Sequence, residues 1–166
     1  MHDVLVANVL ADETVRGIVS ALLILTFAIP LASADIRERR LPNRVVLLFS
    51  VVTLGWVLLL AVAHRDLLWL GVRWAVMVAI PAIAVAFFIP RAWGMGDAKL
   101  APALAAMVAV SSSHPGSALL FVLWIASATG GLAAVVLRLR QGRWPASIPY
   151  GPHLLAASML GCMLPL

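Results

Sequence analysis

Apolar stretches near the length of a bilayer-crossing helix, broken by short arginine-bearing segments, govern what this chain can fold into. A helix needs about 20 apolar residues to cross the hydrocarbon core. Hydrophobic residues make up 63% of the 166 and charged residues 11%, too apolar a mixture for a soluble domain of this size. The pattern predicts an all-α, polytopic membrane protein: one domain over residues 1–166 with six transmembrane helices. The spans fall at roughly 17–34, 45–63, 67–89, 98–110, 117–137 and 148–166. The fourth is short, and three explanations stand open: it runs on to Ser113, it tilts little, or it sits behind other helices where full thickness is unnecessary. Residues 1–14 carry Asp3, Asp12 and Glu13 in place of a basic stretch, with no small-residue cleavage site, so they do not read as a removable signal.

The basic residues set an orientation. Nine of the twelve fall on one side of the six spans: Arg37, Arg39, Arg40 and Arg44 after the first, Arg91 and Lys99 after the third, Arg138, Arg140 and Arg143 after the fifth. By the positive-inside rule that side is cytoplasmic and both termini lie outside. The net charge of +5 is therefore a topology signal and not a nucleic-acid footprint. Trp93, Trp144 and Tyr150 are expected at the cytoplasmic interface, and Trp69 and Trp74 at the outer one, as aromatic anchors. Gly130 and Gly131 in the fifth span suit close helix packing or a kink. The single cysteine, Cys162, excludes an internal disulfide and a cysteine-pair zinc site.

Two aspartates stand out against this background. Asp35 closes the first apolar stretch, in Asp35-Ile36-Arg37-Glu38-Arg39-Arg40-Leu41-Pro42-Asn43. Asp97 lies in Gly94-Met95-Gly96-Asp97-Ala98-Lys99, between two other spans. Ionisable groups at membrane depth are costly, and they mark function by default. Each has a plain explanation when taken alone. Asp97 suits the N-terminus of the fourth helix as a cap, and Asp35 suits an interfacial pairing with Arg37 or Arg39. Asn43 is placed to cap the second helix after a Pro42 turn, and Lys99 to snorkel toward headgroups. The two glycines before Asp97 allow a tight bend and close approach of another segment.

Together the aspartates say more. Both fall on the same predicted face, on non-adjacent segments. Two carboxylates in contact cannot both ionise easily and share about one proton. Such a pair can activate water and protonate a leaving amine, with neither a metal nor a nucleophilic side chain. Which aspartate takes which role is left open, since coupled sites titrate as a unit.

The order and spacing of these residues resemble the type IV prepilin peptidases, intramembrane aspartic proteases of the Gly-x-Gly-Asp type. The resemblance rests on Asp35-x-Arg37-x-x-Arg40-Leu41-Pro42-Asn43, then Gly94-x-Gly96-Asp97-x-Lys99-Leu100 with Asp97 62 residues after Asp35, then Pro149-Tyr150-Gly151-Pro152 opening the last span. It implies Asp35 and Asp97 as the catalytic pair, with Gly94, Gly96, Lys99, Pro42, Asn43, Pro149, Tyr150, Gly151 and Pro152 as motif residues around it. It also implies cleavage, at the cytoplasmic face of a bacterial inner membrane, of leaders from prepilins or pilin-like secretion subunits. Those leaders are basic, end in glycine and precede an apolar helix with an early glutamate. Larger members of the family carry Cys-x-x-Cys pairs in a cytoplasmic loop and also methylate the new N-terminus. This chain has no such pair and looks like the minimal, peptidase-only form of tight-adherence (Flp-type) pilus systems. No cofactor, metal or nucleic acid is expected; the partners expected are membrane lipid and the pilin substrate. Two rival readings are a non-catalytic assembly factor that holds pilin helices, and a small proton- or cation-coupled carrier. The second fits poorly, because carriers place their sites near the midplane.

Overall fold

The computed structural model describes residues 9–10, 12–38, 41–88, 94–142 and 149–164. These residues form six α-helices: α1 Glu13–Glu38, α2 Asn43–Ala63, α3 Arg65–Phe88, α4 Met95–Ser111, α5 Pro115–Gln141 and α6 Gly151–Met163. There is no strand among them. The all-helical, polytopic membrane architecture read from the sequence is the one observed.

The spans differ in detail from the expectation. Four helices, α1, α2, α3 and α5, are long and apolar enough to cross a membrane. The other two are shorter. α4 has 17 residues and α6 has 13, which at 1.5 Å per residue is about 25 Å and about 20 Å. α6 falls short of the expected 148–166 because it begins only at Gly151 and ends at Met163. α1 and α5 run about a turn beyond their expected ends. Arg37, Arg138 and Arg140 therefore lie in last helical turns, where cations suit the helix dipole, rather than in loops. Arg39, Arg40, Arg91, Trp93, Arg143 and Trp144 fall outside the described residues, as do residues 1–8.

The short α4 is the axis of the molecule. It touches each of the other five helices, and it is buried almost from end to end. Its sequence explains this. Ala98, Ala101, Ala103, Ala105, Ala106 and Ala109 give a helix thin enough for neighbours to close around. Of the three explanations for its short span, the one observed is that it sits behind the other helices; the helix ends at Ser111 and does not run on to Ser113. The outer helices instead turn Leu, Ile, Val and Phe side chains outward. Leu47, Ile80, Phe87, Leu120 and Leu139 are each more than 60% exposed, as lipid-facing residues must be.

Polar bonds tie one pole of the bundle together. Arg16 Nε donates to the Val110 carbonyl at 2.7 Å, Trp56 Nε1 donates to Ser20 Oγ at 3.0 Å, and Ser111 Oγ bonds to Ser20 Oγ at 2.8 Å. Glu13 Oε1 accepts from the Ser113 amide at 2.8 Å. These bonds join the start of α1, the end of α4 and the middle of α2. The opposite pole gathers the end of α1 and the starts of α2, α4 and α6, and both aspartates lie there. Cys162 is buried in α6.

Candidate active site

Asp35 lies in the last turn of α1, and Asp97 in the first turn of α4. Their exposures are 7% and 8%, so both carboxylates turn inward at the ends of membrane helices. The surface-pair explanation of Asp35 does not describe its contacts. Asp35 Oδ2 accepts a hydrogen bond from the Gly151 amide at 3.1 Å, across 116 residues of sequence. Asp97 is not the cap of α4 either: Gly94 holds the N-cap position. Asp97 Oδ1 is buried with no hydrogen-bond partner among the described residues. A buried acceptor left open is expensive in a structural role. Such an acceptor calls for a partner that the described residues do not supply, such as water.

Gly151 brings the two carboxylates to a common point. A Cβ placed on it would lie 2.9 Å from Asp35 Oδ2 and 3.5 Å from Asp97 Oδ1. The first is closer than real Cβ atoms come, so a side chain here would displace Asp35 or the start of α6; the second is ordinary van der Waals contact. Gly151 is the first residue of α6, where the helix amides have no intrahelical acceptor. One of these free donors is spent on Asp35.

The segment that presents Gly151 is fastened to α5. Tyr150 OH and Ser127 Oγ are 3.3 Å apart, and His153 Nδ1 and Thr129 Oγ1 are 3.1 Å apart. The Tyr150 ring covers Gly130, whose Cβ would meet it at 3.4 Å, while Gly131 faces open space. Gly130 is thus a close-approach residue, as read from the sequence, and Gly131 is not. Tyr150 thus packs against α5 immediately before Gly151. His153, which stands alone in the sequence, is near enough to Asp35 for their charges to interact.

The α1–α2 turn forms the other side. Leu41 is buried, and it packs on Gly96, where a Cβ would approach Leu41 Cβ to 3.0 Å. Gly96 is a contact position within a regular helix; no bend occurs there. Pro42, and not Asn43, occupies the N-cap position of α2. Asn43 Oδ1 instead accepts from Lys99 Nζ at 3.1 Å, which holds the start of α2 to α4. Lys99 is thereby engaged within the protein. Pro149 and Pro152 flank Tyr150 and Gly151, and Pro152 stands at the second position of α6, where its missing N–H costs nothing.

All the motif residues with described positions therefore converge on one pole. The role of Gly151 was not readable in the sequence, because a backbone amide leaves no side-chain signal. Ser127 and Thr129 did leave one, as hydroxyls two residues apart inside an apolar span. Among the described residues no group of three or more His, Cys, Asp or Glu is placed to hold a metal ion.

The arrangement is two buried carboxylates against one glycine, one of them held by a backbone donor and the other with one oxygen, Oδ1, unpartnered among the described residues. No curated protein and no solved structure matches the chain. A family model does, over residues 22–135, a stretch that contains Asp35 and Asp97 and stops short of Tyr150 and Gly151. On that match the chain belongs to the type IV leader peptidase family.

Proposed function

We propose that the chain is an intramembrane aspartic endopeptidase that removes the leader from type IV prepilins or pilin-like proteins. The observation that carries this reading is the common point at Gly151, within reach of both Asp35 and Asp97. The pair holds one proton. The ionised carboxylate takes a proton from water as the water oxygen attacks the scissile carbonyl carbon. The protonated carboxyl hydrogen-bonds to the carbonyl oxygen and passes its proton to it. The resulting gem-diol collapses: the C–N bond breaks, the amine leaves with the proton that the first carboxylate took from water, and one gem-diol hydroxyl returns its proton to the second carboxylate, so that the new carboxyl remains on the leader and the pair again holds one proton. The Gly151 amide orients Asp35 throughout, and the open Oδ1 of Asp97 is where water or substrate is received.

The positive-inside rule supports a cytoplasmic placement. Arg37, Arg44 and Lys99 lie at the same pole as the aspartates, and Arg138 and Arg140 lie in the last turn of α5 beyond it. A bacterial inner membrane with the site at its cytoplasmic face follows from that reading. The chain has one cysteine and hence no Cys-x-x-Cys pair, so leader removal is its whole reaction and N-terminal methylation is not part of it.

Co-expression with a prepilin tests this. The wild type should convert precursor to a faster-migrating mature form, and Asp97→Asn should leave only precursor while accumulating to the same level in membranes. Precursor persisting with the wild-type chain would contradict the proposal.

A further inference from the structure

The two ends of α6 are seated on their neighbours by different means. At the Met163 end the seat is steric. The Cys162 carbonyl lies against Gly17 of α1, and a Cβ on Gly161 would come to 2.5 Å of Val122 Cγ2 of α5. At the Gly151 end, where the helix meets Asp35, two polar bonds to α5 are added. Tyr150 OH and Ser127 Oγ are 3.3 Å apart, and His153 Nδ1 and Thr129 Oγ1 are 3.1 Å apart. The Tyr150 and His153 rings rest on Gly130, at 3.4 Å and 3.8 Å from a Cβ placed there. At 3.6 residues per turn, Ser127 and Thr129 stand about 60° to one side of Gly130 and about 100° to the other. The start of α6 thus straddles α5, with one hydroxyl on each flank.

The bond to His153 has a fixed sense. Thr129 Oγ1 has one proton, and it goes to the Ile125 carbonyl at 2.8 Å and the Ala126 carbonyl at 3.3 Å. The oxygen is left to accept, so His153 Nδ1 carries a proton and donates it. That N–H persists whether the ring gains or loses a proton at Nε2, so the bond holds in both charge states. Such a tie matters at this end of the helix. Helix ends fray, and the Gly151 amide must stay 3.1 Å from Asp35 Oδ2 to keep its bond. Interhelical bonds from Ser, Thr and His are the ordinary polar ties of membrane helices.

We propose that Ser127 and Thr129 are positioning residues: through Tyr150 and His153 they strap the start of α6 to α5, and so hold the Gly151 amide on Asp35 while the pair works. This rests on the peptidase reading above and adds to it a helix, α5, that supplies neither carboxylate. The two hydroxyls act on Asp35 only through α6. Losing them therefore misaims a carboxylate without removing one, and the cost falls on the chemical step.

The test uses the full chain in proteoliposomes, with a prepilin as probe. Ser127 and Thr129 are both exposed, so Ser127→Ala and Thr129→Val leave the packed core intact. Each should lower kcat about threefold and the double variant about tenfold, with KM within about twofold of wild type. Thr129→Ser keeps the acceptor and should keep kcat near wild type. Thr26→Val is the control: it removes an exposed hydroxyl of α1 that bonds only within its own helix, to the Leu22 carbonyl, and should change nothing. A second measurement needs no turnover. Hydrogen exchange at the Gly151 amide should be about tenfold faster in the double variant than in wild type. Wild-type kcat in the double variant would overturn the proposal, as would a loss that falls on KM, a loss that Thr129→Ser shares in full, or unchanged exchange at Gly151. A wild-type chain that cuts no prepilin would overturn the peptidase reading instead. The strap would then stand on faster Gly151 exchange in the double variant and fall on unchanged exchange.

Discussion

At residue 151 the difference between glycine and alanine is one methyl group placed 2.9 Å from a carboxylate oxygen. Real Cβ atoms do not sit that close, so Asp35 or the start of α6 must move. We expect Gly151→Ala to lower kcat by at least about tenfold, since a small misplacement at a reacting centre is costly. The protein should still insert, and cleavage kinetics with equal membrane levels would check this. Loss at the Lys99–Asn43 bond should be much milder. It is exposed, and bonds of that kind contribute little. Asn43→Ala should cost about 1 kcal/mol or less in thermal unfolding and leave cleavage near wild type. At this scale the sequence revealed the two side chains on which the proposed reaction rests, Asp35 and Asp97, because charges inside apolar stretches are conspicuous. It did not reveal what holds them. The Gly151 amide and the contact of His153 with Thr129 depend on tertiary proximity across α5 and α6, which spacing alone does not encode.

Helices α4 and α6 depart most from what hydropathy suggests. Both are shorter than the four outer spans, and both are largely buried. Apolar length reports lipid exposure, and a helix wrapped by its neighbours is released from that requirement. Its end positions are then set by local chemistry: Gly94 before α4, and Pro149 and Tyr150 before α6 with Pro152 in its first turn. The same shielding makes close contacts decisive. Gly96 meets Leu41 of the α1–α2 turn, and Gly161 meets Val122 of α5, where a Cβ would come to 2.5 Å of Cγ2. Gly96→Val should destabilise by about 1–3 kcal/mol through overpacking, and should also lower activity by displacing the turn next to Asp97. Thermal unfolding in detergent, compared with Gly131→Ala, checks it. Gly131 has open space around its missing Cβ and should tolerate the change.

For the whole molecule, the six-helix membrane architecture was legible because apolar runs and arginine clusters alternate along the chain. The shared pole of the two aspartates followed from that alternation. Cysteine-accessibility labelling should place residues 36–44 and 138–147 on the cytoplasmic side, and residues 1–14 on the other. The most direct test of the account is cleavage by the purified protein in liposomes, comparing Asp35→Asn, Asp97→Asn and the double variant under single-turnover conditions. Each single change should slow leader removal by about a thousandfold or more, since neither half of the pair can exchange its proton alone. The double variant should be no slower than either single one, because residues acting as one unit are not additive. Glu38→Gln, in the same turn of α1 as Asp35 and exposed, should leave the rate near wild type. Near wild-type cutting by either aspartate variant, or a double variant slower by the product of the two single losses, would contradict a shared-proton dyad of Asp35 and Asp97.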